Sequence, residues 1–455
     1  MVTLPGPALD ALREVVGEAH LVTDRDLMVS HTVDWTGRWR GDAEAVVRPA
    51  DAEQVRGVVE AARAHQLSLV PQGGNTGLVG GATPQSGGIV VDLRRLDGLE
   101  PVDVAAGQVT VGAGVTLTKL QQHAGHSGLA LPVDLGARDT ATIGGMVATN
   151  AGGMHVLRYG GMRAQVLGLE AVLGRGDVVR ANLAGLLKDN TGYDLAGLLC
   201  GSEGTLGIVT RARLRLVPVP AQTVVALLGF GSIPDAVAAL PVLRGRPALR
   251  AVEVMLADGV DVVARHLGVP FPLAPVPPCV LLVELAADDP LPDLATILRV
   301  LELDDQATAV GDDPRAAARL WRWREAHPEA AAAHGVVHKA DVTVPLVAMG
   351  AFVEEVVPAV QQLAPGGLVL VYGHLADGNL HVNIVGPAAD DEGPLDCVFD
   401  LVLRLGGSIS AEHGIGIAKR GWLVRQRGDT AVATMTRIKQ ALDPDGILNP
   451  GVLLP

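Results

Sequence analysis

Glycine is where this chain departs furthest from an ordinary globular sequence: it has 56, and twenty of them fall between Gln72 and Gly161. Glycine reaches positive φ and lets another group approach the main chain closely, at an entropic cost. A dense run of it between good strands points to backbone wrapped around an extended ligand; a loop-rich surface is the plainer alternative. The strands themselves can be read. Residues 44–49 form an apolar strand pattern, followed by Asp51 as a helix cap and an amphipathic helix to His65. Short strands are expected at 67–70, 88–93 and 108–111, with a helix over 117–123, then strands at 166–173 and 206–217. Pro218 and Pro220 mark a boundary. Beyond it the pattern resumes, with alanine-rich helices over 315–333 and strands at 279–285 and 368–372. The fold class expected is α+β.

Bulk properties exclude several classes. At 455 residues the chain predicts two or three domains. A formal charge of −14 argues against a nucleic-acid binder, yet leaves room for a small anion in a local cationic pocket. Cys200, Cys279 and Cys397 are odd in number and form no CxxC pair, so neither a disulfide framework nor an iron–sulfur site is expected. Reduced thiols in a reducing compartment is the reading. Asp10, Glu14 and Glu18 in the first twenty residues argue against a signal or transit peptide. The longest apolar stretch, 223–243, is broken by Gly229, Gly231, Pro234, Asp235 and Pro241, too often for a spanning helix. A cytoplasmic protein follows, with peripheral membrane contact left open.

The chain has neither a GxGxxG turn nor a P-loop; Gly112-x-Gly114 and Gly414-x-Gly416 both lack a third glycine. Instead a strand opens into Pro71-Gln-Gly-Gly-Asn-Thr-Gly77, whose successive N–H groups can form an anion nest suited to a pyrophosphate. Asn75 and Thr76 also have the bland reading of ordinary turn chemistry. Further close-approach backbone follows at Pro132–Gly136, Thr142–Gly153 and Gly201–Gly207. In this order and spacing the loops resemble the FAD domain (PCMH type) of the vanillyl-alcohol-oxidase flavoproteins. More narrowly they look like the D-lactate/glycolate/D-2-hydroxyglutarate dehydrogenase branch, from Glu44 to Asn449-Pro450. The resemblance implies an FAD-binding domain over 1–218 (core 42–218), an α+β substrate or cap domain over 219–424, and a segment 425–455 returning to the FAD domain. It also implies that Gly73, Gly74, Asn75, Thr76 and Gly77, opening after Pro71, hold the pyrophosphate. Asp134, Thr142, Gly145, Thr149, Asn150 and Gly153 would line adenosine and flavin, with Ile208 behind and Asn449 closing the site. The first glycine loop has no histidine, so the FAD expected is non-covalent.

A second constellation is derived from the residues alone. Leu368–His374 and Leu380–Ile384 read as paired strands about an Asp377-Gly378 turn, a strong hairpin signal. A two-residue loop would pair His374 with His381, Cβ atoms roughly 4.5–5.5 Å apart on one face, with Asn383 on the same side. Two imidazoles so placed can converge on a metal ion, although a structural histidine pair is the plainer reading. Ser410-Ala-Glu-His-Gly-Ile-Gly416 then offers Glu412 and His413. Two histidines and one carboxylate leave an open coordination position, as in catalytic sites, whereas Glu412 alone would read as a solvated carboxylate. The resemblance implies His374, His381 and Glu412 as ligands of one divalent ion, Zn2+ or Mn2+ first, and His413 as the base.

The chemistry implied is oxidation of a D-2-hydroxy acid to the 2-oxo acid, with hydride passing to flavin N5. A metal can lower the pKa of bound water from 15.7 to about 7, and a bound hydroxyl should respond alike; a histidine can then accept its proton. In the hydroxyglutarate members, the positions of Arg324 and Lys339 hold the distal carboxylate; Asn383 and His413 complete the expected substrate contacts. D-2-Hydroxyglutarate is the first expectation, with D-lactate and glycolate as alternatives, because Pro328 stands where relatives have a threonine. A metal-dependent hydrolase and a non-catalytic nucleotide binder are the different-class readings. Without a cluster or haem motif, electrons must leave to an external quinone, flavoprotein or cytochrome. Oligomeric state is not legible, and a homodimer is compatible with the chain.

Overall fold

The computed structural model describes residues 4–85 and 87–455. The chain forms two compact units: Met1–Gly153 with Tyr159–Val219 and Glu412–Pro455, and Met154–Arg158 with Pro220–Ala411.

In the first unit, β1 (Leu21–Val22), β2 (Ala45–Val47), β3 (Leu69–Gln72) and β4 (Ile89–Asp92) form one sheet in the order β1-β2-β4-β3. β2, β3 and β4 run parallel. The parallel step requires a crossover, supplied by the helix Ala52–Ala64. Asp51 caps it by accepting from Gln54 N–H, and Val55, Val58, Val59 and Ala62 are its buried stripe. Next come β5 (Gln108–Gly112), β6 (Leu129–Ala130), β7 (Val166–Leu173), β8 (Val178–Ala181), β9 (Gly207–Arg215) and β10 (Val217–Pro218). β5, β9, β7 and β8 form an antiparallel sheet in that order, while β6 and β10 make a separate short ladder. β3 begins two residues later than the sequence pattern suggests, and runs directly into the glycine loop. The chain end lies along its free edge: Leu69 N–H donates to Ile447 O at 2.8 Å and Asn449 N–H to Leu69 O at 2.7 Å. Lys439 and Asp443 form a partly buried pair, and Asp443 also accepts from Ile447 and Leu448 N–H, anchoring that return.

The second unit is built on one seven-stranded antiparallel sheet. Its strands are β11 (Gln222–Phe230), β12 (Leu249–Leu256), β13 (Cys279–Ala287), β14 (Thr308–Gly311), β15 (Val337–Thr343), β16 (Leu368–His374) and β17 (Asn379–Val385). The order is β14-β11-β13-β12-β16-β17-β15. On one face Val225, Leu227, Ala251, Met255, Leu282, Leu370 and Tyr372 pack under Trp321, Trp323, Ala326 and Ala330. Those four lie in the stretch 315–333, where the sequence suggests alanine-rich helices; there are two, Pro314–Glu325 and His327–Ala332, meeting at Ala326. Pro328 has no N–H to give and is tolerated only in a first turn, where it starts the second helix. The helical segment Leu346–Leu363 is, among the described residues, the one stretch long and apolar enough to match a membrane span. Its Phe352, Val356 and Val360 form a buried stripe, while Val347 and Leu363 are exposed.

The histidine hairpin differs from expectation in register. Asp377 and Gly378 do not form a two-residue loop. Leu375–Asp377 make a 3-10 turn closed by Gly378 at φ 80°, so four residues connect the strands. His374 therefore pairs with Asn379, and His381 with Tyr372. The slip is two residues, one full side-chain period, so both imidazoles keep the same face. They are diagonal neighbours, with ring centroids 5.5 Å apart.

Candidate functional site

In the first unit the glycine loop leaves β3 through Pro71. Gln72 anchors the loop by donating its side-chain N–H groups to His31 O and Ala82 O, at 3.0 and 2.9 Å. A side chain at Gly73 would collide with the Thr142 hydroxyl, and one at Gly74 with the Thr140 carbonyl. Asn75 takes φ 52° and donates to Ser30 O and Val33 O, whereas Gly77 faces open space. Thr142 caps the helix Ile143–Thr149 by accepting from Gly145 N–H. That helix ends in the left-handed Asn150, whose Oδ1 accepts from Arg163 N–H at 2.9 Å. Thr149 bonds back to Gly145 O. Gly153, at φ 114°, lies so close to the Asp134 carbonyl that a side chain would overlap it. The cradle thus brings Gly73 to Thr142, Gly74 to Thr140, and Gly153 to Asp134. Ile208 is in the core behind, together with Leu69 and Val172. Asn449 is 2% exposed, at φ 44°; its Nδ2 donates to Gly81 O and Glu203 O, while its Oδ1 accepts from no described residue. A backbone surface with no room for side chains, next to a buried amide oxygen lacking a donor, fits a bound dinucleotide.

Glu412 and His413 begin the returning segment of this unit. Glu412 Oε2 accepts from Gly153 N–H at 3.0 Å, so a carboxylate assigned to metal touches the cradle loop. The next turn is held by a residue that sequence reasoning passed over. Glu203 accepts from Ile415 and Gly416 N–H at 2.8 and 2.7 Å. Burial raises its pKa, with those two N–H groups and Lys419 opposing. Gly414 and Gly416 have positive φ and no room for a Cβ against Glu203 and Val79.

In the second unit the ladder registers align a polar strip across the sheet. One row is Glu253, His374 and Asn379; the next is Met255, Tyr372, His381 and Asp341; a third is Leu370, Asn383 and Lys339. Alternation puts all of these on the face bearing Ala251 and Leu282. His374 Nδ1 lies 2.7 Å from Glu253 Oε1. Glu253 is 1% exposed. Burial by itself would raise its pKa, but the charges and hydrogen bonds of His374 and Arg324 outweigh that and hold it below the usual range. An ionised carboxylate only accepts, so Nδ1 carries a proton, and in the neutral imidazole the lone pair is then on Nε2. Arg324 places Nε 2.8 Å from Glu253 Oε2 and its guanidinium 4.7 Å from the Tyr372 ring centre. Its η nitrogens make no hydrogen bond among the described residues. Asn383 Nδ2 donates to the Tyr372 hydroxyl at 2.8 Å.

Asp341, fully buried, lies 3.5 Å from His381 Nδ1, and accepts from Asn379 Nδ2 at 2.8 Å and Ala411 N–H at 3.2 Å. Burial lowers the Lys339 pKa. Glu253 and Asp341 were missed in sequence; the one available signal is a lone carboxylate at an inward position of an apolar strand. A second buried carboxylate, Glu284, takes His155 Nε2 at 3.0 Å, Trp321 Nε1–H at 2.8 Å and Arg250 at 3.3 Å. Cys200 and Cys279 are free and buried, and burial pushes their thiols up to about 11 and about 12, out of reach of nucleophilic chemistry.

Comparison with known proteins gives a consistent result. The C-terminal domain of FAD-linked oxidases matches residues 219–453, and an FAD-binding domain matches residues 43–182. D-2-hydroxyglutarate dehydrogenase of Xanthomonas citri pv. viticola is 37% identical over 98% of this chain and 97% of its own. The mitochondrial D-2-hydroxyglutarate dehydrogenases of Danio rerio and Bos taurus are 36% and 37% identical over 95% and 98% of this chain, and 83% of their own. Among solved structures, alkyldihydroxyacetonephosphate synthase aligns with TM-score 0.75 at 18% identity, covering 99% of this chain and 86% of that one. The 4-ethylphenol oxidase of Gulosibacter chungangensis aligns with TM-score 0.75 at 18% identity, covering 98% and 96%. These two bear on fold alone.

Proposed function

The chain belongs to the FAD-linked D-2-hydroxy-acid dehydrogenase family, and from that premise we propose that its substrate is D-2-hydroxyglutarate and that a divalent metal ion assists the reaction. It is an FAD-dependent dehydrogenase of vanillyl-alcohol-oxidase type, oxidising a D-2-hydroxy acid to the 2-oxo acid. The glycine cradle (Gly73, Gly74, Asn75, Thr76, Gly77, Thr142, Gly153) would hold FAD non-covalently, with Asp134, Gly145, Thr149 and Asn150 beside it, Ile208 supporting it from behind and Asn449 Oδ1 offering an acceptor.

One observation carries the metal reading: the ionised Glu253 on His374 Nδ1 leaves Nε2 as a ligand atom, the usual second-shell arrangement of a metal-binding imidazole. His374, His381 and Glu412 would be the ligands. When bound, the metal supplies Lewis acidity at the substrate hydroxyl and FAD the hydride acceptor. His413 takes the hydroxyl proton. Arg324, with its η nitrogens unengaged, and Lys339 hold the distal carboxylate; Asn383 keeps Oδ1 and one N–H for substrate. Removal of water from this strip strengthens each of those contacts.

The electrons taken from the substrate would leave to an external quinone, flavoprotein or cytochrome, and the protein would act in the cytoplasm. The test is anaerobic reduction of the purified yellow protein by a panel of D-2-hydroxy acids, with metal analysis on the same sample. Bleaching fastest with D-2-hydroxyglutarate, at one metal per chain, is the expected result. Faster bleaching by D-lactate or glycolate reassigns the substrate; a metal-free protein that bleaches at full rate removes the ion.

A further inference from the structure

We propose that Glu253 is a positioning residue that couples metal binding to recognition of the distal carboxylate, by holding His374 with one oxygen and Arg324 with the other. The inference rests on reading His374 as a metal ligand and Arg324 as a substrate contact.

Glu253 divides its two oxygens between His374 and Arg324, whereas Glu284 meets His155 and Arg250 with the same oxygen. Glu253 lies in the middle of β12, directly opposite His374 on β16. Its Oε1 is 2.7 Å from His374 Nδ1 and its Oε2 is 2.8 Å from Arg324 Nε. No solvent reaches it to compensate for a lost partner, at 1% exposure. The first contact selects the tautomer with Nε2 unprotonated and fixes the ring plane. The second is an ion pair in which neither Glu253 Oε2 nor Arg324 Nε makes an aligned hydrogen bond; it holds the guanidinium beside Tyr372 and leaves the η nitrogens for a ligand. One rigid strand residue therefore sets the orientation of two groups with different tasks. A carboxylate serving only as a counter-ion for Arg324 has no need of the histidine; one serving only the histidine has no need of the arginine.

Glutamine at 253 cannot satisfy both partners. Its amide offers one acceptor and one donor, so either His374 Nδ1–H or Arg324 Nε–H faces an N–H group. The experiment compares the FAD-loaded wild type, R324M, E253Q and the double variant E253Q/R324M, each stripped of metal and titrated with Co2+ while the d–d absorption is followed. R324M is expected to bind Co2+ within a few-fold of wild type, because Glu253 still holds His374. The double variant is expected to bind about 10- to 100-fold more weakly, with an altered band, the usual effect of losing a second-shell partner. FAD content should be the same in all. In E253Q the kcat/KM ratio of D-2-hydroxyglutarate to D-lactate should fall at least about tenfold, mostly through KM.

Should E253Q fail to fold because it leaves a buried arginine unpaired, the double variant has no such charge and still decides the histidine arm. Equal Co2+ binding by R324M and the double variant, with an unchanged band, overturns the coupling while leaving the metal reading intact. A wild type that takes up no Co2+ sinks the metal reading, and this inference with it.

Discussion

At the scale of single residues, the site depends on which atoms are already occupied. His413 follows a carboxylate whose oxygen accepts from the Gly153 N–H, and in the proposed mechanism Glu412 would hold the metal while His413 takes the proton. His413→Asn should therefore keep FAD and metal, and slow flavin reduction by substrate about 10^2- to 10^4-fold, the usual range for a lost general base. Stopped-flow anaerobic reduction measures this; near-normal reduction would remove His413 from the role. Lys339 is opposite Asn383, and burial already disfavours its charge, so it gains most when an anion arrives. Lys339→Met should raise KM for D-2-hydroxyglutarate roughly 10- to 100-fold, from a charge-assisted bond of about 1.5–3 kcal/mol. It should barely move kcat or the kinetics with D-lactate, which lacks the second carboxylate. Equal effects on both substrates would place Lys339 elsewhere. All candidate residues named here were legible in the sequence; the carboxylates behind them, Glu253, Asp341 and Glu203, were not. Nothing local in a strand such as Leu249–Leu256 says that its one acid will meet a histidine 121 residues away.

At the scale of elements, the two constellations were read through different periodicities, and each reading met a different obstacle. The hairpin was placed in the wrong register, since Asp-Gly is strong at a two-residue loop but equally serves a 3-10 turn with glycine left-handed at its end. The shared face of His374 and His381 is kept because strand side chains repeat every two residues. The helices expected over 315–333 meet at Ala326, which separates Arg324, in the last turn of the first, from His327, at the start of the second. The glycine loop was read well, because steric exclusion is a local property. Gly74→Ala would drive a methyl group into the Thr140 carbonyl, so the loop must move. The protein should purify with its ratio of flavin to protein absorbance at least halved, while Gly77→Ala, facing open space, should retain FAD. Equal FAD content in both would mean that the close approach at Gly74 has no bearing on the cofactor.

At the scale of the whole molecule, acid is the predicted weakness, and it belongs to the second unit. His327 is fully buried between Trp323 and Tyr372, and burial, aided by the charge of Arg324, lowers its pKa to about 3. The unfolded chain takes up that proton near the ordinary value of about 6.5 while the folded state does not, so stability falls as pH drops from about 6.5 towards 3. Glu253 and Glu284 add to this at lower pH. Their folded pKa values are depressed, so their contribution is present above the unfolded value of about 4.5 and is lost as pH falls below it. Melting temperature should thus decline steadily between pH 6.5 and 4.5. His327→Leu should flatten that part of the profile and leave the steeper fall below pH 4.5. A wild-type profile flat from pH 7 to 4.5 would contradict the neutral buried imidazole.

By itself the sequence determined what is local or periodic: the glycine cradle, the alternating strands, the common face of His374, His381 and Asn383, and through them the family. Steric exclusion and side-chain alternation act over a few residues, so they are written in order along the chain. Only the tertiary structure decided which buried charges meet. Glu253 with His374, and Glu203 with the turn after His413, are pairings across more than a hundred residues in sequence, and Arg324 reaches Glu253 from a helix 71 residues on. The energy of a desolvated carboxylate depends on those partners, and no neighbour in sequence names them.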